Sequence, residues 1–325
     1  MVSMKDIAAE LNLSRCTVSD ILNNKTKTKS YKQETIDLVL NKAKEMGYIT
    51  NNIAKSLKTG RTKTIALVVP DISNSFYIHI IKEIENLAYA ANYSTIICIT
   101  EENLEKENHI LHMLSSRMVD GILISAVSST QSLQDDYPFQ IVCFDRAIEN
   151  KKYCSITINN ELSAYNLGKY FIEKKARNPL FISTSSADYT VQHRIQGFLK
   201  SFSDVGIEIP KKNILYDVYN TEMAYKCLHQ IIESNETEFD SIALSTNYYI
   251  YGILKALKEK TRQVKALGGF ETFSGYDFFD NIICIQQPEK EMASLAFLAL
   301  LQLLKGEKAA SKILDTSIFY PGFVK

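Results

Sequence analysis

Glycine is scarce in this sequence, with only 12 residues among 325. The G-x-G-x-x-G pattern of dinucleotide sites, the phosphate-binding loop and the G-x-S-x-G turn of serine hydrolases are all missing. These absences argue against an enzyme, including one that acts on sugars. We therefore expect neither catalytic residues nor a cofactor.

Long hydrophobic runs and paired cysteines are missing too. The longest apolar stretch, 295–304, is interrupted by Gln302 and is half the roughly 20 residues that a membrane-spanning helix needs. The chain reaches Asp6 before any apolar segment, which argues against a signal peptide. The six cysteines form no C-x-x-C pair, so neither a disulfide framework nor a metal site is predicted. We expect a cytoplasmic protein with no membrane partner.

Neither sign of charge dominates the whole chain, since 37 Lys and Arg balance 37 Asp and Glu. The two parts of the chain differ, however. Residues 1–63 contain 12 basic and six acidic residues, so that this segment has a net charge of +6 and the remainder −6. A basic segment on an acidic body indicates that the segment binds a polyanion.

The first 22 residues predict two short helices joined by a tight turn. Ser3 and Asp6 have the spacing of a capping box, and Ser14 is placed to cap the second helix. Asn12 tolerates the left-handed backbone that such a turn needs. Apolar residues at helical spacing are expected to pack inward: Ile7, Ala8, Leu11, Val18, Ile21 and Leu22. This is a helix-turn-helix pattern, whose second helix reads a DNA groove.

A third helix is predicted after a polar loop, 23–32, that contains four lysines. Its inward positions are Ile36, Val39, Leu40 and Ala43, and Gly47 ends it. We assign residues 1–50 to this all-α head. Residues 51–59 are compatible with a helix but too few to hold one alone in water. Residues 51–63 are therefore interpreted as a hinge helix and linker.

From residue 64 onward, short apolar runs alternate with helical stretches, which predicts parallel sheets covered on both faces. The strands are predicted at 65–70, 94–100, 121–125, 140–145, 154–158, 180–184, 214–218, 241–245, 264–270 and 281–286. The helices are predicted at about 76–91, 104–117, 161–175, 190–204, 221–234, 248–260 and 289–305. Ten strands exceed what one compact sheet usually holds, so we expect an α/β body of two doubly wound lobes. Ligands of such sheets bind at the carboxyl ends of the strands, which predicts a shared cleft.

The chain resembles the lactose-repressor (LacI/GalR) family along its whole length. The segments that carry the resemblance are 4–8, 13–19, 21–23, 47–49, 56–62, 65–76, 119–123, 144–146, 194–198, 269–271 and 286–288. The lysine loop, 145–147 and 183–184 look most like the fructose and sucrose repressor branch. The resemblance implies a body like that of periplasmic binding proteins. Its lobes are expected over 64–157 with 288–316 and over 158–287 with 317–325.

The resemblance also implies which residues bind DNA. Arg15 is expected to contact a guanine edge. Two copies of Leu57, one per protomer, are expected to wedge into the minor groove; the alternative is packing against Ile53 and the head. Asp20 stands where the family often has arginine, so either the operator differs from the usual half-site or Asp20 points aside. The implied DNA-binding residues are Ser14, Arg15, Cys16, Thr17, Ser19, Asp20, Asn23, Asn51, Ala54 and Leu57.

An effector site is implied in the cleft. Its residues suit a polyol, because carboxylates and amides bind hydroxyl groups and an aromatic ring stacks on a sugar. Arg194 would also suit a sugar phosphate. The implied residues are Asp71, Phe76, Asp145, Arg194, Asn247, Glu271 and Gln287.

Together these features predict a homodimeric repressor of carbohydrate-metabolism genes. It would bind a pseudo-palindromic double-stranded operator, and a sugar or sugar phosphate would control its affinity through the hinge. We expect the hinge to fold only on DNA and beside its partner copy. The alternatives are a sugar-type solute-binding protein without DNA function and a regulator with a non-sugar effector such as a nucleobase corepressor.

Overall fold

The computed structural model describes residues 2–23, 31–48, 60–129, 137–148, 153–185, 188–279 and 282–319. The chain divides into two compact units, Met1–Thr62 and Lys63–Lys325. Three predicted DNA-binding residues of the hinge lie outside the described residues: Asn51, Ala54 and Leu57. Among the described helices, none is long and apolar enough to span a membrane.

The first unit contains three described helices, α1 (Met4–Glu10), α2 (Arg15–Leu22) and α3 (Gln33–Glu45). The predicted capping box is present, because the Ser3 amide donates to Asp6 Oδ2 at 2.8 Å and Ser3 Oγ accepts from the Asp6 amide at 3.4 Å. Ser14 caps α2. The turn between α1 and α2 has Asn12 in the left-handed region at φ 51°. The helix-turn-helix prediction is confirmed at each of these points.

The core of the head is small. Ile7, Val18, Ile21 and Val39 are at most 1% exposed and form its centre. The prediction that Leu40 packs inward is wrong, since its side chain is 46% exposed. Three short helices leave α3 only a narrow buried stripe, and Leu40 lies outside it.

The N-terminal lobe of the second unit is built on a parallel sheet of six strands in the order β11-β5-β4-β3-β1-β2. Its elements are β1 (Thr64–Val69), α4 (Ser75–Ala90), β2 (Ser94–Ile99), α5 (Leu104–Ser116), β3 (Gly121–Ile124), β4 (Gln140–Phe144), β5 (Cys154–Ile158), α10 (Glu289–Leu304) and β11 (Lys312–Leu314). The central strands are buried along almost their whole length, as the continuous apolar runs predict.

The C-terminal lobe has a second six-stranded sheet in the order β12-β10-β9-β8-β6-β7. Its elements are α6 (Asn160–Glu173), β6 (Pro179–Ile182), α7 (Tyr189–Ser203), β7 (Ile214–Leu215), α8 (Thr221–Ser234), β8 (Ser241–Leu244), α9 (Ile250–Glu259), β9 (Leu267–Phe270), β10 (Ile282–Gln286) and β12 (Ser317–Phe319). The expectation of wholly parallel sheets fails at β12, which runs antiparallel to β10. β12 follows β11 of the other lobe after a short connection and lies at the edge of this second sheet. A strand at the edge of a sheet can run parallel or antiparallel to its one neighbour.

The chain crosses between the lobes three times. It leaves the first sheet after β5, returns after β10 to form α10 and β11, and crosses again between β11 and β12. The last two strands hold only three residues each and were not among the ten predicted strands. Neither lobe is continuous in sequence.

Helices α6 and α7 approach each other closely in the C-terminal lobe. Gly197 on α7 lies against the backbone of Glu161, at the start of α6. A Cβ atom at this position would collide with the Glu161 carbonyl oxygen. The close contact of the two helices therefore requires the absence of a side chain.

A buried carboxyl group, that of Glu107, lies in the first turn of α5. Glu107 is 2% exposed, and its Oε2 accepts a hydrogen bond from the Val127 amide at 2.8 Å. Burial raises the pKa of Glu107 to about 7. In the unfolded chain the same carboxyl would lose its proton near its ordinary pKa of about 4.5. The folded protein therefore binds this proton over a pH range in which the unfolded chain does not.

Replacing Glu107 with glutamine is expected to stabilise the protein above pH 7. The wild type should lose stability as the pH rises from about 4.5 to about 7, by up to about 3 kcal/mol, because only the unfolded state has released the proton. The variant has no such loss, and its amide oxygen can still accept from Val127. Urea unfolding at pH 5 and pH 8 measures the difference. Glu105→Gln, an exposed change in the same turn, should keep the wild-type pH dependence. Equal pH dependence in Glu107→Gln and wild type would contradict the prediction.

Candidate functional site

The exposed face of α2 carries residues predicted to bind DNA. Ser14 Oγ accepts a hydrogen bond from the Thr17 amide at 3.0 Å and lies 2.9 Å from Thr17 Oγ1, which fixes the start of the helix. Arg15 and Cys16 are exposed in the first turn. The amino end of α2 therefore presents a guanidinium group to solvent, and recognition helices contact base edges through this end.

Asp20 and Asn23 make contacts within the head. Tyr31 Oη donates to Asp20 Oδ2 at 3.0 Å, and Asn23 Nδ2 donates to the Ser19 carbonyl oxygen at 2.7 Å. Of the two interpretations left open for Asp20, this geometry favours the one in which its carboxylate points aside. The DNA contacts of the residues on α2 stay predictions.

The second unit contains a cavity of about 370 Å³ between its lobes, at the carboxyl ends of the strands. Asp71 follows β1, Asp145 follows β4 and Glu271 follows β9, while Phe76 lies in the first turn of α4 and Arg194 in α7. These five predicted effector residues all line the cavity. Any ligand that fills it would touch both lobes.

Asn247 and Gln287, the other two predicted effector residues, do not line the cavity among the described residues. They are 1% and 4% exposed and lie behind Glu271. Asn247 Nδ2 donates to the Glu271 carbonyl oxygen at 2.6 Å, and Gln287 Nε2 donates to Glu271 Oε1 at 2.7 Å. In this structure both amides hold Glu271, and their contact with a ligand stays a prediction.

Glu271 is also held from the cavity side. Thr246 Oγ1 donates to Glu271 Oε2 at 2.6 Å, and the backbone of Glu271 has φ 67°. Burial raises the pKa of the Glu271 carboxyl, although the nearby Arg194 guanidinium and the Thr246 hydrogen bond oppose this change.

Asp145 is fixed by two hydroxyl groups of its own lobe. Tyr77 Oη donates to Asp145 Oδ2 at 2.8 Å, and Ser125 Oγ donates to the same oxygen at 3.3 Å. Burial raises the pKa of Asp145, and the Arg146 guanidinium opposes that change. Among the described residues both hydrogen bonds converge on Oδ2, which leaves the other carboxylate oxygen of Asp145 for a ligand.

Arg146 links the two lobes across the cavity. Its Nη1 and Nη2 donate to the two carboxylate oxygens of Glu102 at 2.7 and 2.8 Å. Nη2 also lies 3.2 Å from Oδ2 of Asp188, which belongs to the opposite lobe and caps α7. Burial disfavours the charge of Arg146, but Tyr77, Asp188 and Glu102 outweigh burial and raise the pKa of Arg146 well above its usual value.

Arg194 is fixed by contacts within the C-terminal lobe. Its Nε donates to Asn160 Oδ1 at 2.8 Å, and its Nη1 donates to the Ser245 carbonyl oxygen at 2.6 Å. The guanidinium carbon lies 3.7 Å from the centre of the Phe270 ring. Nη1 is 3.8 Å from Glu271 Oε1, so the charge of Arg194 has an acidic partner.

Tyr248 and Asp71 lie on opposite lobes of the cavity. Tyr248 belongs to the 3-10 turn Asn247–Tyr249 after β8, Asp71 follows β1, and both side chains line the cavity. Asp71 Oδ1 accepts a hydrogen bond from the Ser73 amide at 2.7 Å. Burial and the Asp71 charge raise the pKa of Tyr248.

The sequence interpretation missed several residues that line the cavity. Six of them are Tyr77, Glu102, Arg146, Asp188, Thr246 and Tyr248. Three of these, Glu102, Arg146 and Thr246, stand two or three residues after a strand, so their position at strand ends was a usable signal. Within the described ranges, no group of three His, Cys, Asp or Glu side chains is arranged to hold a metal ion.

A family model described as periplasmic binding proteins and sugar binding domain of LacI family matches residues 62–317. The chain belongs to the LacI family. HTH-type transcriptional regulator RegA of Clostridium saccharobutylicum is 28% identical over 310 residues, covering 93% of this chain and 92% of the relative. HTH-type transcriptional repressor PurR of Serratia proteamaculans is 26% identical over 324 residues, covering 97% and 94%. This LacI-type protein is thus a DNA-binding transcriptional repressor with a small-molecule effector, and not an enzyme.

Solved structures of the LacI family confirm the predicted fold. The lac repressor dimer bound to operator and the anti-inducer ONPF has a TM-score of 0.83 at 15% identity, covering 100% of this chain and 99% of that one. The Cra dual regulator of Pseudomonas putida, in complex with fructose 1-phosphate, has a TM-score of 0.73 at 17% identity, covering 80% and 98%. The two-lobed α/β body is the one that the sequence predicts.

Proposed function

We propose that a sugar bound in the cavity between the lobes controls how tightly this LacI-type repressor holds its operator. The observation that carries the proposal is the convergence of Asp71, Asp145 and Glu271 with the aromatic ring of Phe76 on one cavity. Carboxylate oxygens accept hydrogen bonds from sugar hydroxyl groups, and an aromatic ring covers the apolar face of a sugar. Fructose, sucrose and fructose phosphates are the candidates, by likeness to the fructose and sucrose repressor branch.

The contacts between the lobes support control by this ligand. The Arg146–Asp188 ion pair joins opposite lobes, and both of its residues line the cavity. A ligand that rearranges this ion pair changes the relative stability of two lobe arrangements. In our proposal, this change reaches DNA through the hinge helix. A coupling of about 1–3 kcal/mol would alter operator affinity about 5–150-fold.

The proposed active species is a homodimer on a pseudo-palindromic operator. On the N-terminal lobe, Ile78 and Tyr89 of α4 and Ile97 of the edge strand β2 are 46%, 79% and 48% exposed. An edge strand with exposed apolar side chains is a surface that a second copy can cover. Two copies would place two recognition helices on two half-sites. Because its target is chromosomal DNA, we expect the protein in the cytoplasm.

A gel shift with palindromic DNA from beside the protein's own gene tests this proposal. We expect a retarded complex that needs both half-sites and weakens about 10³-fold between 50 and 200 mM salt, because basic residues of the head displace counterions from phosphates. DNA of the same length with one scrambled half-site is the matched control. No complex at low salt, or equal binding to the scrambled DNA, would contradict operator recognition.

Sugars are then added to the retarded complex, alongside nucleobases as the second candidate. The nucleobase alternative is favoured by two tyrosines, Tyr219 and Tyr248, that line the cavity beside Phe76, since aromatic rings stack on planar bases. A change in operator affinity with a sugar supports the proposal. If operator affinity changes with nucleobases and not with sugars, the effector is a nucleobase.

A further inference from the structure

The cavity between the lobes is lined by an excess of acidic groups. Among the described residues that line it are six carboxylate and two guanidinium side chains, with no lysine or histidine. The formal charge of this lining is −4. A phosphate group that enters such a site is repelled unless a cation in the site is available to it.

The first guanidinium group, that of Arg146, is already occupied by acids. Glu102 takes two parallel hydrogen bonds from it, the arrangement that a ligand phosphate would otherwise use. Asp188 adds a third contact at 3.2 Å, and Asp145 Oδ2 lies 4.0 Å from Nε. Three carboxylates therefore surround one positive charge whose side chain is only 14% exposed.

The second guanidinium group, that of Arg194, is bound on its own lobe. Asn160 and the Ser245 carbonyl oxygen use two of its five donors, and its plane lies over the Phe270 ring. Glu271 balances its charge at 3.8 Å. Arg194 can still donate to a hydroxyl group, but it brings no surplus positive charge into the cavity.

We infer that Glu102 and Asp188 set the charge selectivity of the cleft: by pairing with Arg146, they exclude phosphorylated ligands and reserve the cavity for phosphate-free sugars. The inference rests on the proposed effector site and narrows its ligand class. It departs from the expectation that Arg194 serves a sugar phosphate. Replacing both acids by their amides would bring the formal charge of the lining to −2. Among the described residues, Asp145 would then be the only carboxylate that forms an ion pair with Arg146.

The double variant Glu102→Gln/Asp188→Asn tests this inference in the full-length chain. The amides keep the shape of both side chains, and asparagine can still cap α7. Isothermal titration calorimetry compares D-fructose with fructose 1-phosphate, D-glucose with glucose 6-phosphate, and inorganic phosphate alone. Glu208→Gln, an exposed acid of the C-terminal lobe outside the cavity, is the matched control. Thermal unfolding establishes that each variant is folded, and the two single variants serve if the double variant is not.

For wild type and Glu208→Gln, we expect each phosphate ester to bind at least about tenfold more weakly than its parent sugar, with no binding of inorganic phosphate at millimolar concentration. In the double variant this difference should shrink about tenfold, and inorganic phosphate should bind. Tighter binding of an ester than of its sugar by wild type would overturn the inference while leaving a sugar-responsive repressor intact. Failure of the double variant to gain phosphate binding would also overturn it. If no sugar or ester binds, the proposed sugar effector fails, and the phosphate measurement still decides the role of the two acids.

Discussion

Replacing Arg194 with alanine should abolish the effector response of this repressor and leave its operator binding intact. The guanidinium group is the only described basic group of the C-terminal lobe that lines the cavity, and it is bound to Ser245, Asn160 and Glu271. Hydrogen bonds to charged groups are worth about 1.5–3 kcal/mol each. Loss of two such bonds to the effector would weaken its binding about 100-fold or more. Gel shifts with and without the effector, over a concentration series, measure the loss.

The control for this variant is Arg177→Ala, which removes an exposed arginine of the same lobe. It should respond to the effector as the wild type does. Because Arg194 also satisfies buried groups, the thermal unfolding of Arg194→Ala has to be recorded, and operator binding serves as the test of a folded dimer. A normal effector response in a folded Arg194→Ala protein would mean that the cavity is not the effector site.

Replacing Gly197 with alanine should destabilise the second unit by about 3 kcal/mol. In the interior of an exposed helix the same change usually stabilises by about 1 kcal/mol, because alanine is the better helix former. Here the added methyl group meets the Glu161 carbonyl oxygen, which belongs to the backbone and cannot rotate away. Overpacking of this kind costs about 1–3 kcal/mol and occasionally more. Urea unfolding monitored by circular dichroism measures the loss.

Gly206→Ala provides the comparison for Gly197. Nothing lies within 4 Å of a Cβ atom at Gly206, so alanine would cause no steric clash there. The only cost comes from the backbone, because alanine disfavours the φ of 74° that Gly206 adopts. We expect this variant to lose about 1 kcal/mol. If Gly197→Ala is at least as stable as the wild type, α6 and α7 can move apart at little cost in free energy, and the prediction is wrong.

The strong periodic segments of the fold were predictable from sequence, and the short edges were not. β5 and α8 begin and end where the apolar patterns predict, because long alternating or helical patterns determine their own burial. β7 is shorter than predicted, and β11 and β12 have three residues each, too few to show a period. Ile313 of β11 is 67% exposed, so the apolar residues of that strand do not show which positions are buried.

The residues of the cavity also divide into those that the sequence predicted and those that it did not. The family resemblance predicted Asp71, Asp145 and Glu271, and all three line the cavity. Sequence could not decide which of two adjacent polar residues faces the cavity: Thr246 does, whereas Asn247 turns behind Glu271. The partners of Arg146 come from two lobes that are distant in sequence, and only the tertiary structure brings Glu102 and Asp188 to the same guanidinium group.

The threefold passage of the chain between the lobes affects how the protein can be made. The N-terminal sheet is completed by Lys312–Leu314, which a ribosome synthesises some 150 residues after β5, at a rate of about 5–20 residues per second. At that rate β11 is synthesised about 8 to 30 seconds after β5, and until then the edge of β5 lacks its neighbouring strand. The two lobes mature together rather than one after the other, and a premature stop anywhere before residue 312 would damage both.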